Sequence, residues 1–113
     1  MAVMRIYEFC SALSRVSKNS IVLFDIYDPD LGVDVHYVPT RIYGWDEGSY
    51  GGITIECVPR PRGSSGMSIP QLLDDLLFKE RGATVWVGPA GTEPIAVYSA
   101  DTERGDGTVV FIT

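Results

Sequence analysis

The chemistry that this 113-residue chain could perform begins with its one histidine, His36, and its two cysteines, Cys10 and Cys57. His36 lies in the run Val33–Tyr37, where apolar and polar residues alternate. This alternation predicts a strand with Asp34 and His36 on one face. A Cys–His nucleophile needs its thiol within hydrogen-bond reach of the imidazole. Because nothing in the sequence places either thiol there, we interpret His36 as a strand-surface residue and both cysteines as reduced, buried small side chains.

Four aspartates form the second candidate cluster, since Asp25, Asp28, Asp30 and Asp34 fall within ten residues that contain no Lys or Arg. Carboxylates so closely spaced could bind a hard cation such as calcium. The calcium-loop pattern fails, however, because a glycine stands at the third ligand position and a proline at the closing glutamate position. We therefore interpret the four acids as turn residues in solvent or as an acidic contact surface, and we predict no metal and no other cofactor.

The most unusual stretch runs from residue 43 to residue 52, where aromatic and acidic side chains interrupt a glycine-rich sequence. These side chains are Tyr43, Trp45, Asp46, Glu47 and Tyr50. Aromatic residues on a polar connection either fold back over the sheet edge to complete the core or anchor a protein interface. A small-ligand pocket is the third reading. We predict that this segment, together with the four aspartates, forms a protein-binding surface.

Composition and charge exclude several classes of function. The net charge is −6, and no cluster of Lys or Arg supplies the basic face that nucleic acids or anionic membranes require. A phosphate loop is absent too, because the glycine-serine run at residues 63–66 is followed by methionine instead of lysine. No apolar run approaches the roughly 20 residues that cross a bilayer, and residues 1–5 lack the features of a signal peptide. We expect a cytoplasmic protein that binds neither nucleic acid nor membrane.

An internal repeat underlies these features. One constant shift along the chain sets Ile6 on Ile69, Phe9 on Leu72, Cys10 on Leu73 and Leu13 on Leu76. These positions follow the i, i+3, i+4, i+7 spacing of one helix face. The pair Ser68 and Gln71 predicts a capping box at the start of the second helix. Asn19 and Gly82 occupy the same place after each helix, and we predict that both end a helix in the left-handed conformation.

Three strands are predicted after each helix. They cover about 20–27, 33–43 and 51–58 in the first copy, and about 83–88, 93–102 and 108–113 in the second. Short turns between them imply antiparallel pairing. The fold class is therefore α+β: tandem α-β-β-β units, about 4–58 and 67–113, with two helices and an antiparallel sheet around a pseudo-two-fold axis. We expect one domain, residues 1–113, with an exposed linker at 59–66.

The helix and strand of the second copy resemble a known sequence pattern. Residues 67–76 followed by 81–87 are similar to small uncharacterised proteins of actinobacteria and their phages, in which a capped T-V-x-x-L-x-x-x-L helix leads into D-A-x-V-x-V. The chain departs from that pattern at Arg81-Gly82-Ala83, where an acid usually precedes the alanine. The resemblance implies a short, acidic accessory protein of phage origin, and it carries over no activity and no functional residue.

These observations favour a non-catalytic, acidic protein-binding module. If the protein is phage-encoded, one concrete form is an inhibitor of a host or defence protein, with carboxylates occupying a site meant for nucleic-acid phosphates. The partner would then be a basic or nucleic-acid-binding protein. The alternative is a self-associating structural subunit, a homodimer or larger scaffold, built by pairing of free sheet edges. A Cys–His enzyme and a small-ligand-binding protein are further, less favoured readings.

Overall fold

Residues 2–45, 52–60, 65–77, 79 and 81–113, which the computed structural model describes, form two helices and seven strands. Their bounds in chain order are α1 Ile6–Ser14, β1 Ile21–Asp28, β2 Val33–Trp45, β3 Gly52–Pro59, α2 Ile69–Leu76, β4 Thr84–Gly88, β5 Ile95–Ala96, β6 Ser99–Asp101 and β7 Thr108–Ile112. The mixed α+β class is therefore confirmed. The predicted strands of the first half begin and end close to the observed ones.

The sheet is mixed, so the prediction of an antiparallel sheet is wrong. Its strand order is β5-β4-β3-β2-β1-β7-β6. Neighbouring strands that follow each other without an intervening helix pair antiparallel, as expected for short turns. Two pairs are parallel: β1 with β7, and β3 with β4. The second follows from α2, which lies between β3 and β4, because a helical crossover returns the chain in the same direction.

The strand predicted at 93–102 is divided into β5 and β6, and this division closes the sheet. The two short strands lie at opposite ends of the strand order, although only Val97 and Tyr98 separate them in sequence. The Val97 amide donates to the Val85 carbonyl of β4, and the Tyr98 amide donates to the Ile112 carbonyl of β7. The sheet therefore curls until its two edges lie close together, and the edge strands β5 and β6 are only two and three residues long.

The second helix begins as its sequence predicts, but neither helix ends as predicted. The Gln71 amide donates to Ser68 Oγ at 3.2 Å, and Gln71 Oε1 accepts from the Ser68 amide at 2.9 Å, which confirms the capping box. The left-handed stops at Asn19 and Gly82 are wrong. The helices end at Ser14 and Leu76, and neither Asn19 nor Gly82 has a positive φ angle. Both helices instead finish in right-handed turns.

The core lies between the two helices and one face of the sheet, here called the inner face. Its centre is a group of three phenylalanines, with ring centroids 4.3 Å apart for Phe9 and Phe111 and 5.7 Å apart for Phe24 and Phe111. Phe9 belongs to α1, Phe24 to β1 and Phe111 to β7, so the rings join one helix to the parallel strand pair. All three are fully buried, and edge or tilted packing adds to the stabilisation from burial.

A second buried cluster lies on the opposite, outer face of the sheet. It consists of Leu23, Val38 and Val110, which occupy adjacent positions on β1, β2 and β7. The segment before α2 packs on it, because Gly66 has a φ of +62° and a Cβ there would lie 2.7 Å from Val38 Cβ. The Met67 amide donates to the Pro39 carbonyl. At the other end of the predicted linker the Arg60 amide donates to the His36 carbonyl, so bonds to β2 hold the chain at the start of the linker and just after it.

Gly52 is a close-contact position on the same outer face. It opposes Thr84 of β4, and a Cβ at Gly52 would lie 2.9 Å from both the Thr84 carbonyl oxygen and Trp86 Nε1. Real Cβ atoms do not approach backbone oxygens so closely, and the Trp86 indole fills the remaining space. Position 52 therefore accepts glycine alone without movement of β4 or of the indole.

Gly52→Ala is expected to lower the free energy of unfolding by about 1–3 kcal/mol, the usual cost of overpacking. Gly82→Ala is the matched control, because a Cβ at Gly82 meets no heavy atom within 4 Å and its φ is not positive. That variant should be unchanged or more stable by up to about 1 kcal/mol. Urea denaturation of the two variants measures the difference. Equal stabilities would contradict the close contact.

Candidate functional site

The antiparallel pair of β1 and β2 positions most of the predicted site residues. Asp25 opposes His36, and Tyr27 opposes Asp34. Since Phe24 and Ile26 point to the core, these four residues share the outer face, and Asp34 and His36 lie together as the alternation predicts. On the other side of β1, Asp25 opposes Ile112 of β7. We call the set Asp25, Tyr27, Asp34, His36 and Ile112 the Asp25 face.

Asp25 and His36 make the closest polar contact of this face. Asp25 Oδ1 lies 2.8 Å from His36 Nε2, which is ion-pair distance if the imidazole is protonated. Oδ1 is nevertheless buried without a hydrogen-bond partner. The contact is a charge contact between partly exposed groups, and such pairs contribute little to stability.

The turn between β1 and β2 uses one of the four aspartates structurally. Asp28 Oδ1 accepts from the amides of Asp30 at 2.9 Å and Leu31 at 3.3 Å, and the Gly32 amide donates to the Asp28 carbonyl. Side-chain to backbone bonds of this kind fix a turn locally. Asp28 is therefore a turn-forming residue, while Asp30 and Asp34 remain exposed beside it.

The end of this hairpin also exposes large apolar side chains. Tyr27 is 60% exposed, Leu31 67% and Val33 54%. Sequence reasoning singled out the acids of this segment and missed these apolar neighbours. The sequence of Tyr27–Asp34 could have indicated this exposure, because its apolar residues lie next to turn residues and a turn at the end of a hairpin offers little surface to pack against.

The aromatic segment lies away from these acids. Gly44 and Trp45 continue β2 beyond its predicted end at Tyr43, with Tyr43 opposite Thr54 and Trp45 opposite Gly52. Asp46, Glu47 and Tyr50 lie outside the described residues. Asp34 is the second residue of β2 and Trp45 is the last, so nearly the whole strand separates them. The two predicted parts of the binding surface thus lie near opposite ends of one strand.

Neither cysteine meets the histidine. Cys57 of β3 is fully buried on the inner face, whereas His36 lies on the outer face. Burial raises the pKa of the Cys57 thiol to about 12. Cys10 is partly buried against the same core, and burial raises its pKa as well. Both thiols are held in the neutral form, which is the weaker nucleophile.

Two further properties bear on function. Within the described part of the chain, no group of three or more His, Cys, Asp or Glu side chains is arranged to hold a metal ion. None of the helices in those residues is long and apolar enough to cross a lipid bilayer. No protein-family model matches the chain, and no curated protein and no solved structure is significantly similar to it. Function must therefore be argued from the surface itself.

The buried thiol gives a direct test of this description of the site. In a Cys10→Ser variant at pH 8, a Cys57 pKa of about 12 leaves about one thiol in ten thousand as thiolate. Since the raised pKa favours the neutral form at every lower pH, we expect Ellman's reagent to label Cys57 only as the protein unfolds. Labelling at the rate of a free thiol without denaturant would contradict the burial of Cys57.

Proposed function

We propose that this chain is a non-catalytic, acidic protein-binding module, and that the end of its β1–β2 hairpin contacts a basic protein. The observation that carries the proposal is the joint exposure of Tyr27, Leu31 and Val33 beside Asp30 and Asp34. Exposed apolar side chains rimmed by charge are typical of interaction sites. The hairpin end carries them on both of its faces, with Tyr27 on the outer face and Val33 on the opposite one. The apolar groups supply the area that is buried on binding, and the acids select the sign of the partner's charge.

The charge of the chain supports a basic partner. The net charge is −6, and no Lys or Arg lies between Lys18 and Arg41. Complementary charge speeds association and discriminates against partners of the same sign, more than it raises affinity. In the inhibitor form of this proposal, Asp30 and Asp34 occupy part of a cationic site that normally receives nucleic-acid phosphates.

We also propose that the chain consists of two copies of one α-β-β-β unit, related by a pseudo-two-fold axis. A single offset supports this, because the shift that sets the cap Arg5 on the cap Ser68 also sets the strand start Ile21 on Thr84. The first strand of each half pairs parallel with the last strand of the other. An exchange of the halves leaves this pattern unchanged.

Hydrogen bonds before the helices support the same relation. The Met4 amide donates to the Val97 carbonyl, and the Met67 amide donates to the Pro39 carbonyl. The shift that relates the two caps also sets Met4 on Met67. Pro39 lies at the irregularity in β2, and Val97 lies in the break between β5 and β6. The bend of the middle strand thus occurs at corresponding places.

The proposed duplication distinguishes residues that the fold requires from residues that could have a function. Features present in both halves are explained by folding. The run of four hairpin aspartates and the segment from Tyr43 to Tyr50 belong to the first half, since the same shift leaves only Glu93 as an acid in the second hairpin. A contact role for the aromatic segment remains a prediction. Its position near the far end of β2 would make it a second contact, distinct from the hairpin.

Hairpin variants test the proposed function. The protein, immobilised and exposed to an actinobacterial lysate, is expected to retain a basic protein, and retention should fall as salt is raised. Double substitution Leu31→Ser and Val33→Ser should reduce retention at least about tenfold, because apolar anchors dominate interface energies. Both side chains are exposed, so the fold should be unaffected.

Leu77→Ser is the matched control, because Leu77 is 70% exposed and follows α2 rather than the hairpin. We expect this variant to retain the partner as the unchanged protein does. Equal retention by the hairpin variant and by Leu77→Ser would contradict the proposed role of the hairpin. Retention of acidic proteins only would contradict the charge argument.

A further inference from the structure

The Asp25 carboxylate, at the centre of the Asp25 face, can accept a further hydrogen bond. Asp25 lies in the middle of the sheet, with β2 on one side and β7 on the other, so its backbone position is fixed. Oδ1 is buried and has no hydrogen-bond partner. The side chain is 23% exposed, and this exposure comes from its other atoms. Among the described residues no hydrogen bond to Oδ2 is formed, so this oxygen can accept one from outside.

Two exposed side chains adjoin this carboxylate. Tyr27 is two residues further along β1 on the same face, about 7 Å away at the usual rise of a strand. Ile112 lies directly across on β7, about 5 Å away at the usual strand spacing, and is 43% exposed. The face thus presents three groups side by side: an aromatic ring, an aliphatic side chain and a carboxylate oxygen.

We propose that the Asp25 face binds an arginine side chain of the protein partner. The guanidinium donates to Asp25 Oδ2 and stacks on the Tyr27 ring, while the methylene stem of the arginine packs on Ile112. A hydrogen bond to an ionised carboxylate is stronger than a neutral one, and a cation above an aromatic ring gains further attraction. This inference rests on the proposed function, since it names the group that a basic partner presents.

Guanidinium fits this surface better than an ammonium group does. A guanidinium is planar, is weakly hydrated and stacks on aromatic rings while its edge donates hydrogen bonds. The Asp25 face offers a ring and an acceptor side by side, which a compact lysine ammonium cannot use together. Asp34, opposite Tyr27, adds a second negative charge at the outer end. The chain's own Arg60 lies next to this face, because its amide donates to the His36 carbonyl, and it makes a further interaction as well.

The other half of the chain provides an internal comparison. The shift that relates the two halves sets Asp25 on Gly88, and Gly88 lies opposite Glu56. Glu56 Oε2 is engaged by Arg41 at 3.2 Å. The corresponding surface therefore has no carboxylate at its centre, and Glu56 beside it is paired with an arginine of the chain, whereas Asp25 contacts only a histidine. An arginine side chain is therefore expected to bind the Asp25 face of the first half in preference to the corresponding surface of the second half.

The probe is a short peptide, acetyl-Gly-Arg-Gly-amide, titrated into the nitrogen-15-labelled full chain and followed by amide chemical shifts. We expect saturable shifts at Asp25, Tyr27, His36 and Ile112. A peptide with citrulline in place of arginine, which keeps the shape and loses the charge, should cause none. Equal shifts from the citrulline peptide, or no saturable shift at these residues, would overturn the proposal.

Two asparagine variants separate a specific site from general attraction to an acidic protein. Asp25→Asn should weaken peptide binding at least about fivefold, the usual consequence of losing a charge-assisted bond. Asp75→Asn removes the same charge from an exposed position of α2, away from the Asp25 face, and should change binding less than about twofold. Equal losses in both variants would overturn the proposal. Tyr27→Ser, at an exposed position, should also weaken binding, and it serves as the decisive variant if Asp25→Asn fails to fold.

The outcomes for this site and for the proposed function are distinguishable. One outcome is that a basic partner is retained, is lost on Leu31→Ser and Val33→Ser, and binds the Asp25→Asn variant as it binds the unchanged protein. That outcome would support the protein-binding module and overturn the arginine site. If no partner is retained while the peptide shifts the Asp25 face, the arginine site stands and the hairpin proposal falls.

Discussion

The structure depends on the parallel pairing between the two halves of the chain. β1 of the first half lies against β7 of the second, and β4 of the second half lies against β3 of the first. An isolated three-stranded meander with one helix would bury little apolar surface. Here each half supplies the strand neighbour that the other needs, and the three phenylalanines of α1, β1 and β7 fill the space that this pairing encloses.

The candidate site is a consequence of that pairing. Asp25 is held between a strand of its own half and a strand of the other, so a charged side chain can stay fixed in the middle of a sheet with one oxygen buried. Ile112 reaches the face only because β7 crosses over from the second half. The hairpin beyond it is held by Asp28 and needs no partner to keep its turn. A rigid sheet with an exposed, acidic end is suited to binding, because little conformational entropy is lost when a partner docks.

Much of the local structure was predictable from the sequence. Apolar spacing identified both helices, the Ser68 and Gln71 pattern identified one cap, and alternation placed Asp34 and His36 on one face. The parallel pairs were missed, although the order β3, α2, β4 is the sequence signature of a crossover. The helix ends were missed because Asn19 and Gly82 tolerate a left-handed conformation without requiring it, and the chain closed both helices with right-handed turns instead.

The site was predicted less completely, for physical reasons. The acids were visible as a run without bases, but Ile112 lies at the far end of the chain from Asp25 and joins it only through strand pairing. Exposure of Leu31 and Val33 depends on where the hairpin ends, which the sequence does not specify to the residue. The aromatic segment was predicted to form one surface with the acids, yet β2 is long enough to keep them apart.

Native-state hydrogen exchange tests most directly whether the two halves depend on each other. If the parallel pairs hold the fold together, amides of β1, β3, β4 and β7 should all exchange with the same free energy, equal to that of global unfolding. Unfolding of one half would break both parallel strand pairs. We therefore expect no form in which one half is unfolded and the other is still folded. Exchange of the β1 and β3 amides at a clearly lower free energy than those of β4 and β7, or the reverse, would contradict this account.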